Sequence, residues 1–114
     1  MESLPEEFLR GIELFNEGKF FECHEAWEQI WLKAKGVERP FWHAMIQVAA
    51  ALHHVQRGNL KGARSVGSRA IAKLEAMPAQ LMRLDIAKLR LSVAHCLANS
   101  DNAFPCIELL PENQ

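Results

Sequence analysis

The residues with chemical potential gather in the run FFECHEAWEQIW at positions 20–31. Read as a helix turning about 100° per residue, it puts Phe20, His24, Trp27, Trp31 and Ala34 on one stripe, with Glu28 about 40° from His24. An imidazole and a carboxylate four residues apart converge on one ion, and that donor pair suits zinc, manganese or iron. Glu25 would serve as general base, as the glutamate does in the metalloprotease H-E-x-x-H helix. Here the pattern is H-E-x-x-E, so a second histidine must come from elsewhere. Polar groups set inside an apolar stripe need partners or a purpose.

The second histidine has a candidate. From Pro40 to Gln56 the chain carries no Asp, Glu, Lys or Arg, yet it holds His43, Gln47, His53 and His54. On a helix His43, Gln47 and His54 fall within about 40° of one another, while His53 points toward Trp42 and Ile46. If the first stripe packs on this helix, His24 and Glu28 face Gln47 and His54. Two readings follow. In one, His24, Glu28 and His54 hold a divalent metal and leave positions open for water. In the other, His24 bonds Glu28 or Gln47 in a structural network that fixes helix register. Cys23 points about 100° away from His24 around the helix, which argues against a Cys-His nucleophile pair.

The elements that must position these residues read as helices throughout. Ser3 and Glu6 have capping-box spacing and open a helix running to about Glu17, before Gly18. The second helix spans about Phe20 to Lys35 and stops at Gly36. Pro40 suits the first turn of a third helix, which Gly58 ends. Asn59 caps a fourth, ended by Met77-Pro78; a short irregular piece follows, and Asp85 caps a fifth helix to about Asn99. Gly18-Lys-Phe-Phe-Glu-Cys23 matches Gly58-Asn-Leu-Lys-Gly-Ala63 forty residues on, each marking the turn of a helical hairpin. Tetratricopeptide hairpins use a similar pattern with a shorter period. Gly58-Asn59 with Gly62 suits such a turn better than a phosphate loop. The tail, from about residue 100 to 114, is expected to lie extended and to pack through Phe104, Ile107, Leu109 and Leu110, which are costly to expose.

Bulk properties narrow the classes. The chain of 114 residues suffices for one domain with its own core. Its 49% hydrophobic and 24% charged residues are ordinary for a globular protein. A net charge of −1 with interspersed signs gives no nucleic-acid footprint. The uncharged stretch at 40–56 is shorter than a membrane span needs and reads as a buried central helix. Cys23, Cys96 and Cys106 are odd in number and widely spaced, as expected of reduced thiols in a cytoplasm. The acidic start MESLPEEFLRG lacks the order of a signal peptide.

The runs FNEGKFFECHEAWEQIW and MIQVAAALHHVQRGNLKGA, within roughly residues 8 to 75, resemble the prokaryotic family called domain of unknown function 309. That resemblance implies a small all-α protein and carries the label of a predicted metal-dependent hydrolase. The family's polar signature then falls on His24, Glu25, Glu28, Gln47, His54 and Asn59; His43 stands where the family pattern has glutamine, and His53 where it often has an aromatic.

The expectations are therefore an all-α chain of about five helices, two hairpins and a closing helix around a central helix at 40–57. Function divides between a cytoplasmic metal-dependent hydrolase and a non-catalytic helical-hairpin interaction or scaffold protein. The first uses His24, Glu28 and His54 as ligands, Glu25 as base, and Gln47 and Asn59 in the surrounding polar network. Its cofactor would be a divalent metal, zinc, manganese or iron. Neither a nucleic acid nor a membrane is an expected partner, and assembly into a homo-oligomer stays open.

Overall fold

A computed structural model describes residues 4–99 and 103–112. Among these, the chain forms α1 (Glu6–Asn16), α2 (Phe20–Lys33), a 3-10 turn (Gly36–Glu38), α3 (Arg39–Gln56) and α4 (Leu60–Glu75). A two-residue hairpin, β1 (Gln80–Leu81) with β2 (Leu84–Asp85), then leads into α5 (Ile86–Asn99). The fold class is all-α, as the helical periodicity requires.

The two turns singled out by the repeat are built alike. Gly18 and Gly58 take φ of +77° and +75°, the left-handed conformation that ends a helix with least strain in glycine. Lys19 N donates to Leu14 O at 2.8 Å, and Asn59 N to His54 O at 2.9 Å, the six-to-one bond of a Schellman close. The following helices then start with Cys23 N to Lys19 O and Ala63 N to Asn59 O. Gln56 Nε2 donates to Gly18 O at 2.7 Å and ties one turn to the other.

Three element ends differ from the sequence expectation. Ser3, the proposed cap of α1, lies outside the described residues, and the helix opens at Pro5 without a side-chain cap. α2 stops at Lys33 because Ala34 and Lys35 turn extended. Arg39 replaces the missing turn: its guanidinium donates to Trp31 O at 2.9 Å and Ala34 O at 3.1 Å, satisfying carbonyls the helix end would leave open. The piece read as irregular before α5 contains the β1–β2 hairpin, turned by Met82 and Arg83 with φ of 53° and 59°. No glycine or asparagine marks that turn, so the usual signal is missing.

Each helix packs on its neighbour in chain order, and α3 lies at the centre with ten buried side chains, touching α2, α4 and α5. Phe8 seats its ring 5.2 Å from Trp42 and 6.2 Å from both Trp27 and Phe41. The Trp27 indole N–H donates to Phe8 O at 3.2 Å, so this buried ring is polar-satisfied. Asp85 caps α5 through Lys88 N at 3.0 Å. Residues 103–112 form neither helix nor strand and lie across the body: Phe104 meets Phe20 at 5.3 Å, and Ile107 is buried. Asn16 holds Ile107 twice, donating to its carbonyl at 2.8 Å and accepting from its N–H at 2.7 Å. No helix among the described residues is long and apolar enough to cross a membrane.

Candidate functional site

Helix register decides which polar residues meet. α2 and α3 run antiparallel, with Trp31 stacked on His43 at 5.2 Å and Phe21 tilted against His53 at 5.5 Å. In this register His53, not His54, is the histidine that meets the start of α2. The buried face of α2 is Phe20, Cys23, Ala26 and Trp27; His24, Glu28 and Trp31 sit half-buried at its border. The stripe expected from spacing is thus rotated toward Cys23 and Ala26, which are buried with Phe20 and Trp27. Burial pushes the Cys23 thiol well above its ordinary range, an inert thiol and not a nucleophile.

Each polar residue of the expected cluster has its own surroundings. The Asn59 amide donates to His54 Nδ1 at 3.2 Å, and Asn59 Oδ1 accepts from Gly62 N at 3.0 Å. His54 therefore belongs to the α3–α4 turn. Gln47 Oε1 accepts from Lys73 Nζ at 2.8 Å, a bond from α3 to α4. His24 stacks on Phe21, and its Nδ1 is buried without a hydrogen-bond partner in the structure. Glu28 is half-buried and Glu25 is exposed; neither forms a hydrogen bond or ion pair among the described residues. The His24–Glu28 and His24–Gln47 bonds expected of a structural network are not formed.

The metal set fares similarly on geometry. Among the described residues no three His, Cys, Asp or Glu side chains converge as a group that could hold an ion. The unpartnered His24 Nδ1 supplies one donor, but His54 and Glu28 do not converge on it, so the residues do not fit the three-ligand site. Nor does any of five clefts on the surface include His24, Glu25, Glu28, Gln47, His54 or Asn59.

What the structure assembles is a grouping of Arg39, His43 and Lys73, of which spacing reveals only one pair. Arg39 lies over the Trp31 ring at 4.4 Å, and His43 stacks on the same indole. Burial holds His43 below its ordinary value of 6.5, with the charges of Lys73 and Arg39 adding to the effect. Arg39 and His43 are four residues apart on one helix, a signal the sequence does offer. Lys73 comes from α4, and nothing in the sequence pairs it with them.

The sequence matches the family described as "Domain of unknown function (DUF309)" over residues 8–66. It is also 35% identical over 66 residues to the uncharacterized protein YpuF of Bacillus subtilis (strain 168). The match covers 57% of this chain and 38% of that protein, so the chain spans well under half of its relative's length.

Proposed function

The chain belongs to the family described as Domain of unknown function (DUF309), and from that premise we propose that it is a non-catalytic helical-hairpin protein that serves as a binding scaffold. In this reading the half-buried polar residues hold helices in register and do no chemistry. One observation carries it: the polar residues are bonded separately, Gln47 to Lys73 across α3 and α4 and His54 to Asn59 within a turn. A part-buried polar bond between helices, such as Gln47 to Lys73, penalises other rotations of the pair, since slipping leaves its partners unsatisfied. The hairpins, packed in chain order with matching turns, suit a scaffold. Phe21 and Leu32, 51% and 60% exposed on one side of α2, suit contact with a protein partner. A cytoplasmic setting fits three free cysteines, two of them buried.

The competing reading is the metal-dependent hydrolase, with His24, Glu28 and His54 as ligands and Glu25 as base. Elemental analysis of tag-free protein purified without added metal separates the two, together with thermal melts of wild type and His24→Ala with and without chelator. The scaffold reading expects no stoichiometric metal and no chelator effect. Stoichiometric metal whose removal lowers the melting temperature in wild type but not in His24→Ala would overturn it, since a ligand held only by the folded state stabilises that state.

A further inference from the structure

Between the start of α3 and the end of α4 lies a cleft of about 480 Å³, within the range of small-molecule sites. Its walls are mainly apolar: Pro40 and Phe41 from α3, Met77 beyond α4, and Leu81 and Met82 from the hairpin. Lys73 and Glu38 are its charged lining residues. We infer that this cleft binds a small amphipathic carboxylate, with its apolar part between Phe41, Met77 and Met82 and its anionic end on Lys73. This inference rests on the cleft alone and does not depend on the scaffold reading.

Charge selects the anion. Lys73 Nζ gives one hydrogen to the neutral Gln47 amide and forms no ion pair among the described residues, leaving an ammonium with further donors to use. Lys73 and Arg39 both act on His43 by their charge, and the Arg39 guanidinium is spent on carbonyls and an indole, not on a carboxylate. Lys73 thus has no ion-pair partner among the described residues, and Glu38 is the carboxylate that shares the cleft lining with it. Glu38 itself precedes the first turn of α3, where a carboxylate offsets the helix dipole. At the end of α4, Ala76 N and Met77 N close back on Lys73 O and Leu74 O and satisfy two of its last carbonyls.

The cleft's third wall is a second, independent feature. Met82 and Arg83 both adopt left-handed backbone, an uncommon conformation for residues with a side chain. The surroundings enforce it: Arg83 Nε donates to Leu110 O at 2.8 Å, and Leu110 N to Arg83 O at 2.8 Å. Backbone held in such conformations clusters at ligand clamps. Here it presents Met82, a flexible and polarizable side chain, to the cleft.

The test compares octanoate, octanol and octylamine by amide chemical shifts and by calorimetry. Octanoate is expected to bind and to shift the amides of the non-proline residues within 37–41 and 76–82, octanol to bind more weakly, and octylamine weakest. Lys73→Gln is expected to weaken octanoate about tenfold, as loss of one charge-assisted bond does, with little effect on octanol. Ala76→Phe, which fills the cleft from its exposed edge, should abolish binding of both. Equal affinity for acid and amine, unchanged octanoate binding in Lys73→Gln, shifts confined elsewhere, or no binding would each overturn the inference. So would shifts of the same amides with protein concentration alone, which would mark a second copy as the occupant.

Discussion

At the scale of single residues, the polar groups divide by whether a partner is in reach. Lys73→Met removes the bond to Gln47 and leaves its oxygen unpaired, at an expected cost of about 1 kcal/mol by denaturant unfolding. Glu28→Ala removes no bond and is expected to stay within about 0.5 kcal/mol of wild type in the same measurement. The reverse order would mean that Glu28 has a partner and that the register here is mistaken. His43 gives a pH signature. Burial and then the Lys73 and Arg39 charges lower its proton affinity in the folded chain, so the unfolded chain binds the proton better. Stability is then full above the ordinary histidine value and falls as pH drops through and below it. Unfolding midpoints between about pH 8 and pH 5 should decline on the acid side, and less steeply in His43→Gln. Parallel declines in the two proteins would remove His43 as the cause.

At the scale of elements, close approach and capping set the helices. Gly11 sits inside α1 facing Trp27, and a Cβ there would lie 2.5 Å from indole Cδ1. Alanine normally favours a helix over glycine by about 1 kcal/mol. Here the collision with a buried, hydrogen-bonded indole outweighs that gain, and Gly11→Ala is expected to destabilise by about 1–3 kcal/mol. A stabilised Gly11→Ala protein in thermal melts would show that Trp27 can shift. Asn59 joins two elements, capping α4 at Gly62 N and bonding His54 at the end of α3. Asn59→Ala should cost about 1 kcal/mol or somewhat more. An Asn59→Ser variant that restores the cap but not the His54 contact separates the two parts by chemical denaturation.

At the scale of the whole molecule, the tail closes the first helix against the last segment. Asn16 and Ile107 stand 91 residues apart and share two bonds. Asn16→Ala should release that clamp and raise amide hydrogen exchange at Ile107, and through it at Leu110, while the amides of central α3 keep their protection. Uniformly faster exchange would instead mean that the tail and α3 unfold as one unit. The tail also holds Arg83, so loosening it is expected to relax the hairpin beside the cleft.

Much of this was legible in the sequence. Gly18 and Gly58 announced both hairpin turns because only a residue without a side chain takes their conformation cheaply; Asn59 and Asp85 announced their helix starts because a short polar side chain reaches the free N–H groups. The packed tail followed from four large apolar residues that water would not tolerate. The cluster of His24, Glu28 and His54 did not follow, although each residue's helix was placed correctly. Spacing fixes angles between residues on one helix but not the rotation of that helix against another. That rotation was settled by bulk: Cys23, Ala26 and Trp27 packed inward, Trp31 met His43, and Phe21 met His53 in place of His54. The packing of α4 on α3 likewise brought Lys73 to Gln47, and the cleft formed among Phe41, Met77 and Met82. These contacts join residues far apart in the chain, and only the packed interior decides them.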